Sequence, residues 1–318
     1  MTRRNVELDD FLDVLKKRLV PVGAGDAHTL RATLGDADVV DLARETAELG
    51  DAVDWLVGTV RTIAYFSPSA AFALAGRFAA QRGVADSETS DDVRDVTSAV
   101  TNPVAPTPWT ATVPTLLAPD SVVLLDRRTE TAALVRWDAL VGEEAEGTRR
   151  SGLREAALRT VRPHGTVETL PDAVGRRTAR DWDLFTAAVS LGTAEKALHA
   201  AETYAGERRQ FGSAIGSFAG LRALLAEMRI RVCTVRGMLD GAVAGDFGTA
   251  ELLAEAGRTV VDVCVDAIQV HGGYGYIDEY PVAGLLRDAV SLRARGGGRR
   301  SLVAQVAARR LGKAGGDA

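Results

Sequence analysis

Apolar positions recur at alternating spacings of three and four through most of the C-terminal half of the chain. Leu184, Ala188, Leu191, Ala194, Leu198 and Ala201 form one stripe, and Phe218, Leu221, Leu225, Met228, Val232, Val235 and Leu239 form another. That spacing is the period of helices that bury one face. Apolar runs at 252–268 and 302–311 complete a set of four, which predicts a four-helix bundle whose Met and aromatic stripe positions are core. Near the N-terminus, residues 7–19 place Leu8, Phe11, Leu12, Leu15 and Leu19 on one face of a short amphipathic helix. Further helices are expected over 39–63 and 68–82, the second preceded by Ser67 and opening at Pro68, a common way for a helix to start.

Between about 109 and 170 the period changes. Residues 121–126 and 132–137 read as strands separated by the turn-like Arg127-Arg128-Thr129-Glu130, with shorter strands expected around 159–161 and 165–167. Residues 85–108 are rich in Asp, Ser, Thr and Pro and read as a linker. The expected division is an N-terminal helical domain with linker at 1–100, a small β domain at 101–170 and a helical bundle at 171–318.

Composition narrows the function classes. The 318 residues are 46% apolar and carry a formal net charge of −5, which provides no basic field for nucleic acid or an anionic membrane. Cys233 and Cys264 both fall in apolar helical stretches without metal-ligand or CxxC spacing, so neither a disulfide scaffold nor a metal site is expected. His28, His164 and His199 are isolated in sequence. No leader-like segment and no run of about 18 apolar residues is present, which suggests a cytoplasmic protein without a membrane anchor.

Two segments carry most of the chemistry. In the first, Tyr204-Ala205-Gly206-Glu207-Arg208-Arg209-Gln210-Phe211-Gly212 closes a helix expected to begin near Asp183. In the second, Gln269 and His271-Gly272-Gly273-Tyr274-Gly275-Tyr276 end the helix over 252–268, followed by Arg287-Asp288-Ala289. A glycine pair at a helix end lets backbone approach a ligand closely, and a guanidinium forks onto phosphate oxygens with charge-assisted bonds. Together these segments resemble the signature motifs of the FAD-dependent acyl-CoA dehydrogenases, strongly over about 170–318 and weakly elsewhere. The resemblance implies that family's fold, mainly α with a small β domain. It also implies that Arg208, Phe211, Gln269, Gly272 and Gly273 hold the pyrophosphate and adenosine end of an FAD whose flavin ring sits in a neighbouring subunit. His271 has a family role of packing or backbone positioning as often as cofactor contact.

The same resemblance marks losses. The family places its catalytic Glu at one of two positions, which fall here on Gly296 and Trp182; neither can accept a proton. Asp181 and Asp183 flank Trp182, but one residue turns a helical side chain by about 100°, and they read as acids at a helix N-terminus. Val104-Ala105-Pro106-Thr107-Pro108-Trp109-Thr110 offers no clear equivalent of the family's flavin-wrapping loops. The Gly- and Arg-rich segment 293–300 reads as a flexible basic loop, with a phosphate contact as the alternative. The expected function is therefore a subunit of an α₂β₂ acyl-CoA dehydrogenase acting on an acyl-CoA, such as a sterol side-chain derivative. A second dehydrogenase subunit would supply the flavin loop and the Glu, and an electron-transfer flavoprotein would accept the electrons. A homo-oligomeric flavoenzyme with a relocated base and a non-catalytic assembly protein of the same family stay open.

Overall fold

The structure is a computed structural model, and it describes residues 3–19, 27–48, 53–85, 95–102, 105, 107–142, 150–165, 167–295 and 298–311. The N-terminal part holds α1 (Arg3–Leu19), α2 (Ala27–Asp36), α3 (Leu42–Glu48), α4 (Val53–Phe66) and α5 (Pro68–Val84). The single helix expected over 39–63 is two helices, α3 and α4, with residues 49–52 outside the described set. In α1 the predicted face buries Leu15 and Leu19, and Phe11 packs on Trp55 of α4 with ring centroids 5.3 Å apart. Helix α5 is buried along its whole length. Its start is well specified: Ser67 is extended and its Oγ accepts from the Ala70 N–H at 3.2 Å, while Pro68 at the first position gives up an N–H that had no helical partner.

A β layer follows. Strands β1 (Val96–Val100), β3 (Ser121–Asp126), β4 (Thr131–Arg136) and β7 (Glu168–Thr169) form one sheet in the order β1-β3-β4-β7, with β1 parallel to β3. Strands β2 (Ala111–Val113), β6 (Arg159–Pro163) and β5 (Leu140–Gly142) form a second, antiparallel sheet. The near-continuous apolar run of β3 has a simple cause. Val123 and Leu125 face the main core against the helices, while Val122 and Leu124 join a smaller core between the sheets with Ala99, Val113, Val135 and Val161. A strand covered on both faces needs no polar alternation. Strand β1 lies in the stretch read as a linker; its Thr97 and Ser98 are small and buried, and Ser98 Oγ donates to the Gly76 carbonyl at 2.9 Å. The short strand expected at 165–167 is β7, at 168–169, and Thr166 lies outside the described residues.

The C-terminal helices are α6 (Asp172–Glu207), α7 (Ala219–Ala244), α8 (Thr249–His271), α9 (Val282–Ala294) and α10 (Gly298–Leu311). Helix α6 is central, packing against α4, α5, α7, α8 and α9. It begins eleven residues earlier than the sequence reading placed it, so Asp181 and Asp183 lie inside the helix rather than at its N-terminus. Helix α9, unforeseen, buries Val282, Leu285, Ala289 and Leu292, whereas α10 buries only Leu302. The fourth apolar stripe of the bundle is thus supplied chiefly by α9. Among the described residues no helix is long and apolar enough to cross a membrane.

Asp288 ties α9 to the β layer. Its Oδ1 accepts from the Leu153 N–H at 2.6 Å, and burial pushes its carboxyl up to about 6. A raised folded-state value means that the fold prefers the protonated acid, so this group's contribution to stability falls as pH rises from about 4 to about 6. Asp288→Asn keeps the acceptor and removes the charge. It is expected to flatten the pH dependence of thermal unfolding in that window and to stabilise the protein at pH 7 by about 1–3 kcal/mol. A destabilised variant at pH 7 would contradict this.

Candidate functional site

The two signature segments meet on one surface. After α6 ends, Arg209–Gln210 and Ser213–Ala214 pair as a two-stranded hairpin, β8 and β9, turned by Phe211 and Gly212. Both turn residues have positive φ, 50° and 82°. Such a tight turn favours Asn or Gly, and a bulky side chain in the left-handed region is disfavoured. Phe211 is nevertheless 93% exposed, with one edge-on contact to Phe218 at 6.3 Å. It holds a strained backbone position without being needed for the core.

Helix α8 ends beside this hairpin. Gly272 adopts φ 61° and ψ −137°, a conformation open essentially to glycine, and its N–H caps the carbonyls of Gln269 and Ile268. Side-chain positions at Gly272 and Gly273 face open space, and Gln269 is exposed next to them. An aromatic cluster fixes the two segments together. Tyr204 stacks on His271 at 4.3 Å, Tyr280 meets both rings edge-on, and Tyr274 meets Tyr280 at 6.1 Å. The guanidinium of Arg208 lies 5.1 Å from the centroid of Tyr274. Arg208 has no carboxylate partner among the described residues, so an anion can take it without displacing an ion pair. His271 is buried and its Nδ1 lies 2.7 Å from the Ala267 carbonyl, which only accepts, so Nδ1 carries the proton. Its role is structural. Tyr274 and Tyr280 fall in the stretch that follows His271 but were given no role by sequence; only the fold shows that Tyr274, packed on Tyr280, carries Arg208.

Trp182, one of the two positions compared with a catalytic Glu, belongs to a different place. Trp182 lines a cavity of about 210 Å³ together with Phe72, β1 residues, Thr112 and Arg295, the chain neighbour of Gly296; Gly296 itself lies outside the described residues. Trp182 is 2% exposed, meets Phe72 edge-on and has Arg127 5.8 Å from its ring centroid. The flanking acids turn away into ion pairs, Asp181 with Arg82 at 2.8 Å and Asp183 with Arg127 at 2.5 Å. Burial raises both carboxyls, Asp183 to about 6, against the pull of its arginine. Neither acid lines the cavity, so the raised value reflects a dry ion pair rather than a base aimed at a substrate.

Residues 184–311 match the family described as acyl-CoA dehydrogenase, C-terminal domain. Over these residues, about two fifths of the chain, the sequence is that of an acyl-CoA dehydrogenase C-terminal domain. The 3-sulfinopropanoyl-CoA desulfinase of Paraburkholderia xenovorans is 37% identical over 133 residues, 40% of this chain and 34% of the relative. The chain spans about a third of the length of the curated relatives it matches. In fold the likeness extends end to end. Butyryl-CoA dehydrogenase from Megasphaera elsdenii superposes with a TM-score of 0.70 at 18% identity, covering 98% of each chain. A steroid ACAD, Tcur3481-Tcur3483, superposes with a TM-score of 0.77 at 20% identity, covering 97% of each. The acyl-CoA dehydrogenase fold thus includes α1–α5 and the β layer as well as the matched domain.

Two variants separate surface from core within this acyl-CoA dehydrogenase fold. Phe211→Asn relieves a left-handed Phe and is expected to stabilise the isolated chain by about 1 kcal/mol in denaturant unfolding. A lower midpoint would show that the Phe218 contact holds the hairpin. Asp183→Asn deprives Arg127 of its buried carboxylate and is expected to cost about 3–5 kcal/mol in thermal unfolding, with most of it restored by adding Arg127→Met. A near-neutral Asp183→Asn would refute the ion-pair assignment.

Proposed function

We propose that this chain is one subunit of an FAD-dependent acyl-CoA dehydrogenase, giving the adenosine and pyrophosphate half of the FAD site to a partner subunit that holds the flavin ring and the catalytic Glu. The observation that carries this reading is a contrast within one molecule. Arg208, Phe211, Gln269, Gly272 and Gly273 lie on two adjoining accessible segments, while the cavity at the one described base position is walled by Trp182 and Arg295.

The chemistry of the surface fits the cofactor's dinucleotide end. Arg208, braced by Tyr274, presents a planar donor fork suited to pyrophosphate oxygens. Gly272 and Gly273 leave room for close backbone approach, and Gln269 adds a neutral donor and acceptor. Phe211, projecting from its hairpin, supplies an apolar face for an adenine or for the partner's surface. When bound, FAD supplies the hydride acceptor of an α,β-dehydrogenation. This chain's residues bind and orient its far end, and a carboxylate of the partner removes the α proton.

The C-terminal domain is shared with a relative named for desulfination, so the reaction is read from the site and not from the domain alone. A bulky acyl-CoA, such as a sterol side-chain derivative, is the proposed substrate; a steroid ACAD named by two joined designations shares the fold. The assembly in this reading is an α₂β₂ heterotetramer that passes electrons to an electron-transfer flavoprotein.

The test is a flavin count. Expressed alone, the chain is expected to hold little FAD; co-expressed with a full-length acyl-CoA dehydrogenase partner, the complex should hold about one FAD per heterodimer. Arg208→Ala should weaken FAD retention by the complex about ten- to a hundredfold, the worth of a charge-assisted bond of roughly 1.5–3 kcal/mol, while the fold survives. Stoichiometric FAD in the single chain, or unchanged retention in the Arg208 variant, overturns the proposal.

A further inference from the structure

We propose that the cavity between β1, β2 and the C-terminal end of α9 binds a small oxyanion, a compound bearing a carboxylate or phosphate group, with Arg295 as its principal contact. Arg295 lines this space of about 210 Å³ with Ser98, Thr101, Asn102 and Thr112. Its Nη2 donates to Ser291 Oγ at a long 3.3 Å, and its Nε is shielded from solvent with no hydrogen-bond partner. No carboxylate pairs with Arg295 among the described residues.

A second cation lies behind the wall of the same space. Arg150 Nη2 donates to Thr160 Oγ1 at 2.6 Å, and Thr160 Oγ1 lies 3.3 Å from Thr112 Oγ1 in the cavity wall. The approach is felt at Arg295, whose pKa falls to about 10 through burial first and repulsion from Arg150 second. One guanidinium thus lines a hydroxyl-bearing pocket, with a second behind its wall. A largely buried cation with no carboxylate partner among the described residues is costly, and an anion entering here to meet its Nη groups would offset that cost. At about 30 Å³ per water the space holds roughly seven waters, enough for phosphate or a short dicarboxylate. It is below the several hundred Å³ of typical cofactor-sized pockets. The inference stands apart from the heteromer reading, since it requires no partner.

Calorimetric titration of the full-length chain with inorganic phosphate and, separately, with succinate tests it, alongside thermal unfolding in each anion. One of the two is expected to bind and raise the unfolding temperature, and the arm that responds distinguishes phosphate from carboxylate chemistry. Arg295→Met should weaken that binding at least about tenfold. Freed of a shielded, unpaired charge, it should also unfold at a higher temperature than the parent chain without anion. Arg295→Lys, which keeps the charge but not the fork, should retain a weakened response. Thr112→Val, altering the opposite wall, should weaken it too and reads the site if the Met variant fails to fold. No binding of either anion to the parent chain, or binding undiminished in all the folded variants, overturns the proposal.

Discussion

Two carboxylates in the dry interior of α6 cannot stay there alone, and the arrangement of the molecule around that helix follows from how they are answered. Arg82 reaches Asp181 from α5, and Arg127 reaches Asp183 from the turn between β3 and β4. Each pair joins layers that local sequence would leave independent. Arg127 extends the linkage to α10, since its Nη2 donates to Gln305 and its carbonyl accepts from the Gln305 amide. Breaking either partner strands a charge out of water, so the register of α6 against both neighbours is strongly specified.

With α6 fixed, the rest of the architecture is a matter of what each face meets. Its Trp182 side closes against Phe72 and leaves a small polar cavity, and its far end delivers Tyr204 and Arg208 to the aromatic cluster with His271, Tyr274 and Tyr280. One helix therefore carries both the closed interior and the exposed motif surface, about 26 residues apart, or roughly 40 Å at 1.5 Å per residue. That separation lets the two ends differ in burial without either disturbing the other.

The elements that were legible in sequence are those whose evidence is local. The stripes of α6, α7 and α8 follow the helical period, and β3 and β4 stand out as apolar runs split by a polar turn. The two motif segments stand out for the same reason, since Arg208 and Phe211 lie within one stretch and Gln269 to Gly273 within another. Strand β1 was hidden because Thr97 and Ser98 are polar in composition yet buried in place. Helix α9 was hidden because its four buried positions share a short segment with Gly284, Arg287 and Asp288. The pairing of Arg82 with Asp181 spans 99 residues and leaves no periodic trace, which is why both acids read as helix-start residues.

The sequence Asp181-Trp182-Asp183 also bears on what position 182 can hold. A Glu introduced at position 182 would be the third acid in a row on a helix whose two available guanidiniums are already committed. Packed beside Phe72 and flanked by like charges, it would favour its protonated form and accept no proton at neutral pH. A single substitution at position 182 therefore does not by itself place a proton-accepting carboxylate in this interior.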